Sequence, residues 1–219
     1  MYDCIKGWCS EAMALPSECK MPDLSGLDPL TNRLLVQLLV GERGLSQKTS
    51  LYRKNFIRLV DKALREYHET REVILAQIAE MNRSAKEMSR DGRSIYLLTF
   101  PDHIETCINA VRRLYKLFWR IKAEKESPEF PRELRRQVRT IEKTIVKIRV
   151  AIEHMDELIV KGEIVAGKPI MAAGSENWDA VVVSNYELKF EELATVLRAM
   201  HEIALYLLTI KKPNSTTSI

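Results

Sequence analysis

The chain has 219 residues, 46% of them hydrophobic, enough for one domain with a sizeable core and too apolar for global disorder. No apolar run approaches the ~20 residues of a membrane span. Asp3, Glu11 and Glu18 interrupt the region where a secretory leader would be apolar, and four cysteines (Cys4, Cys9, Cys19, Cys107) without dense spacing fit a reduced, cytoplasmic chain better than a disulfide framework. The net charge of +4 hides a partition: residues 132–149 hold seven basic and two acidic residues and residues 150–219 hold six basic and ten acidic, so one basic and one acidic surface are expected.

In chain order, residues 1–47 read as an irregular arm with one short helix, Leu30 to Val40, stopped by Gly41 and Gly44. Apolar residues cover most of that helix, so it should dock on the main body or on a partner. From Phe56 through Val60, Ala63, Tyr67, Thr70, Ile74, Ile78, Met81, Ala85 and Met88 the apolar spacing is three or four, predicting a helix over about 51–90. Such a helix would reach roughly 60 Å, and it either protrudes, breaks near Asn82-Arg83-Ser84 or packs against equally long neighbours. Asp91-Gly92 ends it. The next helix starts at Thr99-Phe100-Pro101-Asp102, with Thr99 as the expected cap, and its stripe is Ile104, Ile108, Val111, Tyr115 and Phe118.

After Ser127–Pro131, the residues Leu134, Val138, Ile141, Ile145, Ile148, Ile152, Met155 and Ile159 alternate spacings of four and three, which predicts one bundle helix over 131–161. Residues 163–173 and 180–189 flank Gly174-Ser175-Glu176-Asn177 and read as a small hairpin. A final helix runs from about Phe190 to Ile210 on Leu193, Leu197, Met200, Ala204 and Leu207, and residues 212–219 form a frayed tail. The expected fold is all-α: an up-and-down bundle of long helices over 48–211, with a small β-hairpin insertion at about 163–189.

The helix after Pro131 carries a second stripe. At 3.6 residues per turn, Arg132, Arg136, Arg139, Lys143 and Lys147 centre opposite the apolar seam and form a basic ridge without an intervening acid. The ridge is either a solvated outer face or a phosphate-binding surface whose affinity falls steeply with salt. No aromatic residue lies on the ridge itself, so binding there is expected to follow the nucleic-acid backbone and not the bases.

The same helix contains Arg149-Val150-Ala151-Ile152-Glu153-His154, an Arg and a His separated by four residues. This arrangement resembles the Arg-x4–6-His motif of HEPN domains, α-helical bundles that include dimeric, metal-independent ribonucleases of toxin–antitoxin and antiviral defence systems. The resemblance implies Arg149 as the group that stabilises charge at a scissile phosphate and His154 as its acid–base or positioning partner; a dimer or a helix distortion must bring the two together, and the combined apolar width of the 51–90 and 131–161 seams also points to a homodimer. Arg149 also stands four residues before Glu153, the spacing of a simple intrahelical ion pair.

No metal site or cofactor is expected. Cys4, Cys9 and Cys19 lack the paired short spacing of zinc ligands, and His68, His103 and His201 stand apart from one another. Gly41-Glu42-Arg43-Gly44 is a turn and not a phosphate loop. Two functions remain: a non-catalytic module that binds a protein or a nucleic-acid backbone, and a metal-independent ribonuclease using Arg149 and His154.

Overall fold

The computed structural model describes residues 15–36, 46–125, 127–163, 169 and 171–209, together with the backbone of 37–40. Its helices are α1 (Thr31–Val40), α2 (Gln47–Met81), α3 (Ala85–Asp91), α4 (Phe100–Ala123), α5 (Arg132–Arg139), α6 (Glu142–Glu153), α7 (Met155–Lys161) and α8 (Phe190–Thr209). An antiparallel sheet of β1 (Ala173–Gly174), β2 (Ala180–Val183) and β3 (Tyr186–Lys189) is inserted before α8. The protein is a bundle of long helices with a small sheet insertion, as its apolar spacing predicts. The stops at Gly41 and Gly44, Cys4 and Cys9, the 212–219 tail and most of the first proposed strand lie outside the described residues.

The long helix takes the second of its three courses. Ser46 caps α2 by accepting from the Thr49 amide at 3.2 Å, and the helix ends at Met81. Ser84 then restarts the chain with a reciprocal capping box to Glu87, which satisfies amides that a helix start leaves free. Gly92, at φ +77°, ends α3 in a backbone region that side-chain-bearing residues avoid. The expected cap at Thr99 is corrected: its hydroxyl donates back to the Tyr96 carbonyl, because α4 follows without interruption from a 3-10 turn over Tyr96–Thr99.

α2 packs along α4, and α8 lies against both α2 and α5. Phe56, Val60 and Ile74 of α2, Ile104, Val111 and Leu114 of α4, and Leu193, Leu197 and Met200 of α8 are all fully buried. Burying a Leu, Ile or Phe side chain stabilises by about 1.5–3 kcal/mol, so this slab dominates the fold.

The single helix predicted over 131–161 is corrected to three. Thr140 donates its hydroxyl back to the Gln137 carbonyl, a local bond that competes with helical continuation, and Ile141 sits at φ −112°, ψ 9°. His154, at φ −106°, ψ 16°, makes the second break. The seam survives the first: Val138, Ile141, Ile145 and Ile148 are buried. It fails after the second, where no residue of α7 is buried and Val160 is 86% exposed.

The strand predicted over 180–189 is also corrected. Ser184, at φ +52°, and Asn185 fold it into two strands, pairing Val183 with Tyr186. A third arm, Ala173–Gly174, pairs with Val182 and Val181. Trp178 closes the first turn at φ +54° and stacks edge-on against Phe100, 5.4 Å between centroids. A Cβ at position 174 would meet the Trp178 ring at 2.5 Å, which is why glycine stands there.

Residues 15–30 of the arm form no helix or strand, as expected, and yet are packed. Met21, Leu24 and Leu30 are buried, and side chains of the bundle hold its main chain. Tyr67 donates to the Pro22 carbonyl at 3.0 Å, Arg71 Nε to the Met21 carbonyl at 3.2 Å, and His201 Nε2 lies 2.9 Å from the Asp28 carbonyl. The Asp61 carboxylate accepts from the Leu30 and Thr31 amides at 2.9 and 2.7 Å, and so caps α1 from thirty residues away. α1 docks with Leu34 inward, while Leu35 and Val36 remain exposed.

Candidate nucleic-acid interface

The two short helices α5 and α6 keep the ridge aligned despite the break between them, because the seam beneath stays in place. Arg132, Arg136, Arg139, Lys143 and Lys147 are all exposed. Arg136 forms a two-pronged pair with Glu133, at 2.7 and 3.0 Å, and this partner holds the Glu133 carboxyl below its ordinary range. Among the described residues no carboxylate pairs with Arg132, Arg139, Lys143 or Lys147. A row of like charges without counter-charges raises its own electrostatic energy, which a bound polyanion relieves.

A second basic row lies on α4. Residues 106–123 contain Arg112, Arg113, Lys116, Arg120 and Lys122 and no acid. Among the described residues no carboxylate pairs with any of the five, and all but the partly buried Arg112 are exposed. Arg112, Lys116 and Trp119 share one helical face by their spacing. Trp119 joins the two rows: its indole N–H donates to Glu142 Oε1 at 2.9 Å, Arg139 lies over its ring at 4.8 Å and Lys122 at 5.2 Å. Midway along α6, Lys147 lies 5.7 Å over Tyr186 of β3. The ridge itself carries no aromatic residue, as expected, but two rings reach it from other elements.

The α4 row has its own signal in the sequence, five cations and no acid over residues 106–123, although it does not coincide with the clearest apolar seam. The approach of Trp119 to Arg139 is a tertiary contact with no local signal. At the end of α4 a cavity of about 210 Å³, lined by Lys122, Glu124, Phe130 and Arg135 among others, falls below the ~300 Å³ of an ordinary ligand pocket.

Arg149 and His154 are each engaged separately. Arg149 donates to Glu153 and is about two-thirds buried. His154 lies at the break between α6 and α7, its Nδ1 3.1 Å from Glu157 Oε1, and is half exposed. Val150, beside Arg149, faces solvent and offers no polar group. Within this chain the two side chains are therefore drawn to different carboxylates.

The remaining titratable groups serve the fold. His103 lies 3.1 Å from Glu66; burial pushes the Glu66 carboxyl up, but hydrogen bonds from His103 and Arg65 outweigh it and leave it below the ordinary range. Burial pushes the Cys107 thiol far up, removing it as a nucleophile. Among the described residues no His, Cys, Asp and Glu side chains cluster in a way that could hold a metal ion, and no helix is long and apolar enough to cross a membrane. Comparison with protein families, with characterised proteins and with solved structures finds no match.

Proposed function

We propose that this chain is a HEPN-like helical bundle that works as a non-catalytic binding module for nucleic-acid backbone, using the joined faces of α4, α5 and α6. One observation carries the reading: exposed Arg132, Arg139, Lys143 and Lys147 of α5 and α6 and Arg113, Lys116, Arg120 and Lys122 of α4 have no carboxylate partner among the described residues, and Arg139 and Lys122 meet over the Trp119 ring. Phosphates would displace counterions from such a face, and the entropy of that release drives non-specific binding. A protein partner would need a matching acidic surface, and the rows themselves present little apolar surface to anchor one.

The ribonuclease alternative requires Arg149 to leave Glu153 and His154 to leave Glu157 before both meet one phosphate. The homodimer and the defence setting stay with the HEPN resemblance, and the cytoplasmic placement with the sparse cysteines, as parts of the same proposal. Exposed Ile95, Tyr96 and Leu98 at the corner between α3 and α4 offer apolar surface for self-association.

Fluorescence anisotropy with labelled RNA and DNA tests the binding reading. The variant Arg132→Glu/Lys143→Glu/Lys147→Glu should weaken binding roughly hundredfold and lower the salt slope by about two to three. Exposed positions of this kind leave the fold intact. If wild-type protein retains no nucleic acid at low salt, or the triple variant binds as tightly, the reading is wrong.

A further inference from the structure

The two aromatic rings beside the ridge suggest which form of nucleic acid the face receives. A duplex hides its bases in the stack and offers phosphates and groove edges, whereas an unpaired strand also presents the flat faces of its bases, which stack on aromatic rings and on guanidinium planes. Trp119 is held for that use. Glu142 fixes its N–H, and Phe118 packs edge-on against it at 5.0 Å and 67°. Arg139 rests over this fixed ring with no carboxylate competing for it among the described residues, so its guanidinium is preorganised and its outer side faces solvent. Tyr186 beneath Lys147, midway along α6, is a second ring. From Arg139 to Lys147 eight residues rise about 12 Å, between three and four nucleotide steps at 3.4 Å along one strand, with exposed Lys143 between them.

We infer that the face selects single-stranded RNA or DNA over duplex, with the Arg139–Trp119 stack receiving one base, Tyr186 beside Lys147 receiving another, and Lys143 contacting a phosphate between. This rests on the nucleic-acid reading above and narrows it. Selection follows from stacking, so it is tolerant of base identity.

The test measures anisotropy of the intact chain with labelled oligouridylate and oligothymidylate of about 12 nucleotides, within the range of single-strand site sizes, and with a mixed-sequence duplex of the same length at the same salt. Single strands should bind at least about tenfold more tightly than the duplex. Arg139→Lys keeps the charge and removes the plane; it should weaken single-strand binding about five- to tenfold and leave duplex binding and the salt slope unchanged. Trp119→Leu should cost at least as much. Because Trp119 is partly buried, Arg139→Lys, at an exposed position, decides the matter if Trp119→Leu fails to fold by circular dichroism. Equal affinity for strand and duplex, or an Arg139→Lys variant that keeps the preference, overturns the base platform and leaves backbone binding standing. No binding of either form overturns both. Heparin or phosphatidylserine vesicles bound as tightly as the strand, with no effect of Arg139→Lys, would mean a surface for polyanions at large and also overturn the inference.

Discussion

Helix α2 and the run α5–α7 begin from the same sequence device, apolar residues three and four apart, and end in different structures. In α2 the device yields one helix of 35 residues whose seam, Phe56, Val60, Ala63, Tyr67 and Ile74, is buried along its length against α4 and α8. In α5–α7 it yields three short helices, the last with no buried residue. The difference teaches that periodicity specifies a face and not an unbroken helix: the first break falls where the seam stays buried, and only after the second is the seam left uncovered. The outer faces differ as well. Those of α2 are laced with opposite charges, as in Arg65–Glu66 at 3.2 Å and Arg71–Asp23 at 3.9 Å, whereas the outer faces of α4 and α6 carry uncompensated cations.

The largest expected effect lies at the core end of this comparison. Leu197→Ala should cost about 2–5 kcal/mol in urea unfolding, because α2, α4 and α8 have no room to collapse around the missing atoms. Val160→Ala, 86% exposed on α7, should change stability by less than about 0.5 kcal/mol. A comparable loss at both positions would show that something covers α7 in solution and would break the contrast.

A smaller, local effect is expected on acidification. Hydrogen bonds from Arg83 and from the Ser94 amide hold the Glu80 carboxyl below its ordinary value of 4.5. The unfolded chain therefore takes up this proton more readily than the folded one. The stabilisation is complete above the ordinary value and is lost as pH falls through the lower folded value. Glu87, bonded to Ser84, and Asp91, bonded to Arg90, are depressed in the same corner. Amides around Ser94 should lose protection, relative to their intrinsic exchange rates, below about pH 4.5, before those of α8 do. Glu80→Gln should bring that loss of protection to neutral pH, and wild-type protection at Ser94 that stays constant as pH falls would refute the assignment.

The smallest effect on stability belongs to Arg149→Ala and His154→Ala, since partly exposed ion pairs contribute only about 0–1 kcal/mol. Their use lies in function. Under the binding-module reading, wild-type protein with chelator leaves RNA intact and neither substitution changes anything. Metal-free cleavage that both substitutions abolish, with the double variant scarcely worse than either single, would instead establish the ribonuclease.

Much of this architecture was legible in residue spacing. The α2 and α8 seams, the break at Asn82-Arg83-Ser84 and the Gly92 stop all have local causes, and so does the pairing of Arg149 with Glu153 four residues on. The interruption at Thr140 was not legible, because it depends on a side-chain hydrogen bond to the backbone that competes only weakly with the helix, and the break at His154 has no local signal in the residue types around it. The Ser184-Asn185 turn was hidden by a left-handed serine where glycine or asparagine usually signals one. For the basic face, five ridge cations were visible from periodicity alone, but Trp119 and Tyr186 reached them through tertiary packing.

The way the arm over residues 15–30 is fastened bears on how the sequence can drift. Tyr67, Arg71 and His201 hold carbonyls of the arm, and Asp61 holds its last amides, so the bundle grips atoms that every residue type supplies. Asp28, which is exposed, gives His201 only its carbonyl and should accept many replacements, whereas Met21, Leu24 and Leu30 contribute buried side chains and should not. Evolutionary constraint then falls on the distant polar residues that do the holding, above all Asp61, so that related chains could share this arm while agreeing at few of its positions.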